Sequence, residues 1–117
     1  MIKGIGIDII EISRIKDSVE KFGNSFLGKI FTDNEIKYCA TSTNSYKYPE
    51  LAARFAAKEA YSKAIGTGLP GIKFKEIEIS NNSQGKPHIA VSGKIQENIH
   101  ISISHSIDFA AAFVVIE

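Results

Sequence analysis

Residues 51–65 read LAARFAAKEAYSKAI, and this unbroken alanine-rich run predicts a long helix. Pro49 suits the first helical position, Glu50 suits the positive N-terminal end, and Gly66 is expected to end the helix. One side of the helix would carry a stripe of small side chains, formed by Ala53, Ala57, Ala60 and Ala64. Because such a stripe lets another stretch of backbone approach closely, we expect the rest of the fold to be wrapped on this helix.

The beginning of the chain alternates with a period of two, which is typical of a strand over residues 2–10. One side of this strand would carry Ile5, Ile7 and Ile9. The other side would carry Gly4, Gly6, Asp8 and Ile10. Since the two glycines have no side chains, we expect room for something bulky beside the Asp8 carboxylate.

The remaining patterns predict further helices and strands. Helical spacing continues over residues 12–22 and closes at Gly23, and Thr32-Asp33-Asn34-Glu35 has the spacing of a capping box that begins a second helix. Strands are expected at 74–79, around 88–91, at 99–104 and, as a buried strand, at 109–116, with turns at 81–86 and 106–108. Residues 41–48 form a polar loop by pattern, and residues 92–98 fit either a helical turn or a loop. We therefore predict one α+β domain over residues 1–117, with a mainly antiparallel sheet wrapped on the long alanine-rich helix.

Composition excludes several classes of protein. Of the 117 residues, 44% are hydrophobic and 23% are charged, which argues against disorder. The formal net charge of +1 gives no general attraction to nucleic acid or to an anionic membrane. Cys39 is the single cysteine, so neither an internal disulfide nor a cysteine-built zinc site can form. No apolar stretch approaches the roughly 20 residues that span a bilayer, and no signal-type apolar segment precedes Asp8, so we expect a cytoplasmic protein.

Asp8 and Glu59 form the first candidate pair for chemistry. Hard cations such as Mg²⁺ take carboxylate oxygens, while water and substrate phosphate complete their coordination shell. Each carboxylate also has a structural interpretation. Asp8 could cap the following helix, and Glu59 lies one turn from Lys63, a spacing that forms exposed ion pairs. The pattern alone leaves both interpretations open.

A basic, glycine-rich segment follows Glu59. Lys63 lies one turn before Gly66-Thr67-Gly68, where backbone without bulky side chains can approach a phosphate. The segment matches neither the Walker A pattern nor the dinucleotide-binding fingerprint. The same residues serve equally well as a helix C-cap followed by a turn.

His105 and Arg14 are candidates of other kinds. His105 lies at the end of an alternating strand, in Ser104-His105-Ser106, where it could act as a base, contact a phosphate or be a structural histidine. No elbow of the GxSxG type accompanies it. A modest basic cluster comprises Lys3, Arg14, Lys16 and Lys21. This cluster would either be a solvated face or receive an acidic protein partner.

Five segments, taken in order, carry a resemblance to a known family. They are GIGIDIIEISRI (4–15), FTDNE (31–35), LAARFAAKEAYSKAIGTG (51–68), IEISNNSQGKP (77–87) and ISISHSIDFAAAFVVIE (101–117). Together they resemble the small holo-acyl-carrier-protein synthase type of 4′-phosphopantetheinyl transferase, over essentially the whole chain. Ala53 stands where this family is expected to have glycine, a small change that leaves the candidate site residues intact.

This resemblance implies how CoA would be held. Asp8 and Glu59 would bind Mg²⁺ together with the pyrophosphate of CoA. Lys63 and the Gly66-Thr67-Gly68 turn would neutralise and cradle phosphates, while His105 would contact CoA near its 3′-phosphate end. Arg54 would belong either to this nucleotide pocket or to the surface that receives the carrier protein.

The resemblance also implies a reaction and its partners. The 4′-phosphopantetheine arm of CoA would pass to a serine of apo-acyl carrier protein, with release of adenosine 3′,5′-bisphosphate, in support of fatty acid and lipid biosynthesis. Arg14 would dock the acidic helix of the carrier, and the chain would form a homotrimer with active sites shared between subunits. The general base stays open between Glu59 and a metal-bound water. Two other functions also stay open, a non-catalytic module that binds CoA or carrier protein and a Mg²⁺-dependent hydrolase.

Overall fold

The computed structural model describes residues 1–66 and 72–117. The helices in these ranges are α1 (Ile12–Phe22), α2 (Asn24–Ile30), α3 (Asp33–Cys39) and α4 (Tyr48–Ile65), with a turn of 3₁₀ helix at Phe74–Glu76. The strands are β1 (Gly4–Glu11), β2 (Ile77–Asn81), β3 (Pro87–Val91), β4 (Lys94–Ile95), β5 (Ile99–His105) and β6 (Phe109–Ile116). None of the helices in these ranges is long and apolar enough to cross a membrane.

The strands of the described ranges form two antiparallel sheets, ordered β1-β6-β5 and β2-β3-β4. Helix α4 lies across the first sheet and also reaches β2. The central strand β6 sets the register of the first sheet, since Asp8 lies opposite Ala112, which lies opposite Ile103 of β5. The predicted α+β fold is therefore confirmed, with the sheet divided in two.

Helix α4 approaches β1 where β1 has no side chains. A Cβ atom on Gly6 would lie 1.9 Å from the carbonyl oxygen of Ala60, and a Cβ atom on Gly4 would lie 2.0 Å from that of Ala64. Side chains cannot approach a backbone oxygen this closely, so both positions require glycine. The room expected beside Asp8 is thus occupied by the backbone of α4 itself, and the predicted close approach at the alanine stripe is confirmed at Ala60 and Ala64.

The ends of α3 and α4 follow the signals in the sequence. The Thr32 hydroxyl accepts a hydrogen bond from the backbone N–H of Glu35 at 3.2 Å, and Glu35 Oε1 accepts one from the N–H of Thr32 at 2.9 Å, so the predicted capping box is confirmed. Tyr48 takes the first helical position of α4, and Pro49 therefore stands second rather than first. Gly66 ends the helix in the left-handed region, with a φ of 88°, where glycine is favoured.

Three segments differ from their predictions. Residues 24–30 carried no predicted element but form α2, because burial of Leu27 stabilises a helix that contains the weak helix former Gly28. Phe74 and the two residues after it form a 3₁₀ turn instead of strand, with the Phe74 ring packed edge-on against Phe55, so β2 begins only at Ile77. Residues 92–98 were expected to form a helical turn or a loop, but residues 94 and 95 form the short strand β4.

The first sheet has an apolar outer face. Ile5, Ile7 and Ile9 are 59%, 64% and 66% exposed. On the neighbouring strand, Phe109 and Phe113 are 45% and 44% exposed. The prediction of a buried strand at 109–116 is therefore wrong for one face, since alternate residues of β6 point away from α4.

We predict that Gly6→Ala destabilises the protein strongly, because the new Cβ would overlap the Ala60 carbonyl oxygen and force α4 to shift. The free energy of unfolding should fall by about 3 kcal/mol or more, as measured by urea denaturation. Gly28→Ala is the matched control, since nothing lies within 4 Å of a Cβ at that position in α2. The control should stabilise the protein by about 0.5–1 kcal/mol. Equal effects of the two substitutions would contradict the close approach of α4 to β1.

Candidate active site

One cavity brings together residues of β1, α1 and α4. It has a volume of about 260 Å³, and Asp8, Arg14 and Glu59 are among the residues that line it. Asp8 reaches the cavity because it follows Gly4 and Gly6 on the side of β1 that meets α4. The two carboxylates proposed as a pair from the sequence therefore share one site, and Arg14 lies at the same site.

Lys63 is tied to Asp8 across the gap between α4 and β1. Its ammonium group donates to Asp8 Oδ1 at 3.2 Å and to the carbonyl oxygen of Ile7 at 3.0 Å. In the described part of the chain this contact replaces the pair with Glu59 that the helical spacing allowed. The Lys63 side chain is still 55% exposed, so its charge remains open to an incoming anion.

Glu59 is placed where its negative charge is unfavourable. Burial raises the pKa of the Glu59 carboxyl, and the charge of Asp8 raises it further, while the ammonium of Lys63 acts in the opposite direction. Two carboxylates that face one cavity repel each other. A cation bound between them would relieve that repulsion.

The donor set fits a hard divalent cation that keeps open positions. Asp8 and Glu59 offer carboxylate oxygens, and within residues 1–66 and 72–117 no group of three or more His, Cys, Asp or Glu side chains converges on one point. A closed structural zinc site would need four protein ligands, usually with nitrogen or sulfur atoms. Two carboxylates in an open cavity are instead typical of Mg²⁺ held next to substrate phosphates.

The glycine-rich turn after α4 is described only at its first residue. The N–H of Gly66 bonds to the carbonyl oxygen of Lys63 at 3.1 Å, which closes the C-terminus of the helix. Thr67 and Gly68, which were predicted to help cradle phosphates, lie outside the described residues. The phosphate role of this turn stays a prediction.

His105 lines a different cavity, of about 210 Å³, together with Glu50 and Arg54. Its Nε2 atom is 3.8 Å from Glu50 Oε1. Residues 54 and 59 project roughly 140° apart around the axis of α4, so the two cavities open on different sides of that helix. Within one chain, the structure therefore does not bring His105 together with Asp8 and Glu59.

Arg54 lines the same cavity as His105. The sequence alone allowed Arg54 to lie either in the nucleotide pocket or on the surface that receives the carrier protein. Its Nη1 bonds to Glu50 Oε2 at 3.0 Å, and its guanidinium carbon lies 4.4 Å from the centre of the Tyr38 ring, with Lys47 Nζ 4.7 Å from the same ring. Arg54 is 3% exposed, and among the described atoms its Nε has no hydrogen-bond partner. Because an unpaired buried donor is costly, this place suits a further hydrogen-bond acceptor beside Glu50.

Two phenylalanines in the wall of the Asp8 cavity were not identified from the sequence. Phe55 precedes Glu59 by one turn of α4, so the helical spacing could have indicated it. Phe26 lies on α2, whose pattern was too weak to place it. Cys39, interpreted from the sequence as structural, is buried, and burial raises the pKa of its thiol to about 11.

Comparison with known proteins decides the family. Residues 4–114 match the family model described as the 4′-phosphopantetheinyl transferase superfamily. The chain belongs to this superfamily. A curated relative of this transferase, the holo-[acyl-carrier-protein] synthase of Halothermothrix orenii, is 47% identical over 98% of this chain and 97% of its own length.

Solved structures of transferases of this kind are also similar. The holo-(acyl-carrier-protein) synthase of Bacillus anthracis, in complex with CoA (3′,5′-ADP), is 44% identical with a TM-score of 0.80, over 100% of this chain and 97% of that one. The holo-[acyl-carrier-protein] synthase of Neisseria meningitidis is 37% identical with a TM-score of 0.85, over 100% of this chain and 99% of that one. The expected family, its fold and the expectation of a phosphopantetheinyl transferase enzyme are thereby confirmed.

We predict that Glu59→Gln stabilises the metal-free transferase at neutral pH. Because the pKa of Glu59 is raised in the folded state, the folded protein binds this proton more tightly than the unfolded chain does. Wild-type stability is therefore lost as the pH rises past the ordinary glutamate pKa of about 4.3. Urea denaturation in EDTA should show the variant more stable at about pH 7, with the difference shrinking towards about pH 3.

Glu97→Gln provides the control for this measurement, since Glu97 is an exposed residue in a turn. It should change the stability little at either pH. A Glu59→Gln variant no more stable than wild type at neutral pH would contradict the unfavourable placement of this carboxylate.

Proposed function

We propose that this chain transfers the 4′-phosphopantetheine arm of CoA to a serine of apo-acyl carrier protein, with Mg²⁺, and releases adenosine 3′,5′-bisphosphate. The observation that carries the proposal is the cavity lined by Asp8 and Glu59, with the Lys63 ammonium bonded to Asp8 Oδ1. The relatives reported above are holo-acyl-carrier-protein synthases, and the similar structure from Bacillus anthracis is a complex with CoA (3′,5′-ADP). We extend the proposal to residues 1–117 as one transferase domain.

Asp8 and Glu59 would hold the Mg²⁺ ion, which when bound neutralises charge on the pyrophosphate of CoA. Lys63 adds a positive charge at the same place, and its contacts with Asp8 and the Ile7 carbonyl hold it there before the substrate arrives. Groups that are already oriented need little reorganisation when charge develops. Loss of one such charged contact with the phosphates should lower the rate of transfer by ~10²–10³-fold.

The transfer itself forms one bond and breaks one bond. The serine oxygen of the carrier bonds to the β-phosphorus of CoA, and the bond from that phosphorus to the bridging oxygen breaks. Adenosine 3′,5′-bisphosphate leaves with that electron pair, and the serine proton is taken up by a base. Since the protein forms no covalent bond in this step, its contribution is positioning and electrostatic stabilisation.

Arg14 is suited to receive the carrier protein beside the reacting groups. It is exposed on α1 and lines the Asp8 cavity. Lys16 and Lys21 extend the positive charge along the same helix. An acidic carrier helix that docks here would bring its serine to the two carboxylates, and charges at such a rim mainly raise the rate of association.

The second cavity would bind the nucleotide end of CoA. His105 and Arg54 line it, and the buried Nε of Arg54 lacks a partner among the described atoms. A phosphate group in this cavity would face the charge of the Arg54 guanidinium. We assign the 3′-phosphate of CoA to this place.

We further propose a homotrimer with active sites at the subunit interfaces. The outer face of the first sheet, with Ile5, Ile7 and Ile9, offers an apolar surface for association. The Asp8 cavity and the His105 cavity lie on different sides of α4, so one CoA would be shared between two neighbouring subunits. The number of subunits rests on the family resemblance. We place the enzyme in the cytoplasm, where its single buried thiol stays reduced.

Incubation with CoA, Mg²⁺ and an apo-acyl carrier protein should add one phosphopantetheine arm to the carrier, as measured by intact mass spectrometry. Glu59→Gln and EDTA should each abolish the gain, because the substitution removes one of the two proposed metal ligands and EDTA removes the metal ion, whereas Glu97→Gln should leave the gain unchanged. CoA binding without any gain in mass would favour the non-catalytic module. Release of free 4′-phosphopantetheine without carrier would favour the hydrolase.

Mixing two inactive variants should restore activity if the site is shared. Glu59→Gln damages the carboxylate half and His105→Ala damages the nucleotide half, so a mixed trimer contains interfaces with both halves intact. The control mixes Glu59→Gln with the double variant Glu59→Gln/His105→Ala, which leaves no intact site. Dilution of wild type to monomer should abolish transfer. Full activity in a monomeric sample, or no gain on mixing over the separate variants, would contradict the shared site.

A further inference from the structure

A buried ammonium group belongs to Lys58, the residue before Glu59. Lys58 is fully buried, with 0% of its surface exposed. Its Nζ donates to Glu35 Oε1 at 2.5 Å, to the carbonyl oxygen of Ile30 at 2.6 Å and to that of Phe74 at 3.0 Å. An ammonium group has three N–H donors, so every one of them is used.

Glu35 is enclosed in the same way and is 1% exposed. Besides the Lys58 ammonium, its carboxylate accepts the backbone N–H of Thr32 at 2.9 Å and that of Ile79 at 2.8 Å. We refer to Lys58 and Glu35 as the buried pair. Through its contacts the buried pair joins α4 to the end of α2, the start of α3, the 3₁₀ turn and β2.

The buried pair holds α4 on the side away from the glycines of β1. At about 100° per residue, Lys58 projects roughly 160° away from Ala60, whose carbonyl oxygen lies against Gly6. Helix α4 is therefore fixed on two opposite sides, which prevents rotation about its axis. Glu59 lies between these two attachments, so its approach to Asp8 depends on both.

The same contacts hold the wall of the cavity. The Ile30 carbonyl bound by Lys58 is the last of α2, the helix that carries Phe26 of the wall. The Phe74 carbonyl belongs to a residue whose ring packs edge-on against Phe55, at 6.1 Å between ring centres. Phe26 is thus connected to the Lys58 ammonium through Ile30 of the same helix, and Phe55 is connected to it through Phe74.

We propose that Lys58 and Glu35 are positioning residues for the metal-binding carboxylate, because the buried pair sets the rotation of α4 and hence the place of Glu59 opposite Asp8. This inference rests on the proposed function of the Asp8 cavity. Stability alone does not account for the buried pair, since buried ion pairs can often be replaced by uncharged residues of similar volume without loss of stability. Groups that orient metal ligands typically contribute about 10–100-fold to metal affinity or activity.

The test uses the double variant Lys58→Met/Glu35→Gln, which removes both charges with little change in volume and leaves no buried charge alone. Mn²⁺ is the probe, because it accepts carboxylate ligands and its binding can be followed by electron paramagnetic resonance without CoA or carrier. We expect the double variant to fold, to bind Mn²⁺ about 10–100-fold more weakly and to show a similarly lowered kcat with Mg²⁺.

Ile89→Ala is the matched control for a general loss of stability. Ile89 is 0% exposed in β3 and contributes no atom to the contacts of the buried pair. This control should melt at a lower temperature than wild type but bind Mn²⁺ equally well. A loss of Mn²⁺ affinity as large as that of the double variant would overturn the proposal.

Wild-type Mn²⁺ affinity and kcat in the folded double variant would also overturn the proposal. If the double variant does not fold, Glu35→Asp, which keeps both charges but shortens the carboxylate side chain, is measured by the same two readouts and decides in the same way. The proposed function is tested separately by the wild-type protein. If wild type neither binds Mn²⁺ nor transfers the arm, the proposed function and this inference both fall, whereas an active wild type with an unaffected variant overturns the inference alone.

Discussion

The carbonyl oxygens of Ala60 and Ala64 occupy the space that side chains of residues 4 and 6 would fill, and the geometry of the whole site depends on this contact. Helix α4 and strand β1 each supply part of the charged cavity. Because their backbones touch, a lysine on one reaches an aspartate on the other at 3.2 Å. Any side chain at residue 4 or 6 would separate the two elements and with them the carboxylates. The packing of α4 against β1 therefore also determines how close the charged side chains of the two elements lie.

Each side of α4 carries a charged group whose interactions within the described residues are incomplete. On one side, two carboxylates face a cavity whose wall includes phenylalanine rings, and burial makes the ionised form of Glu59 unfavourable. On the other side, a buried guanidinium keeps one donor without a partner among the described atoms. Within one chain these two places lie on different sides of α4, so a ligand that brings a cation to one and a phosphate to the other would have to extend between two subunits.

Much of the fold could be predicted because its signals are local. The alanine run, the capping box at Thr32 and the C-terminal Gly66 each depend on a few consecutive residues, and all three are confirmed. Helix α2 could not be predicted, since its stability comes from burial of Leu27 and not from helix propensity.

The site was less predictable, because its contacts join distant parts of the chain. Lys63 had a plausible partner within its own helix, and only the placement of α4 on β1 determines that it pairs with Asp8 instead. Arg54 could be assigned to a cavity only once the rotation of α4 was known. From pattern alone the meeting of Asp8 and Glu59 stayed open, and the family resemblance was what favoured it.

Strand β6 lies at the centre of the first sheet, between β1 and β5, although it is the last of the described strands to be synthesised. At about 5–20 residues per second, a ribosome needs roughly 5–20 s to proceed from Gly4 to Phe109. During that time β1 lacks the strand with which it pairs, and pairing across so long a stretch of chain is intrinsically slow. Strand β1 must therefore wait for β6, and Asp8 reaches its place opposite Ala112 only after residues 109–116 have been made.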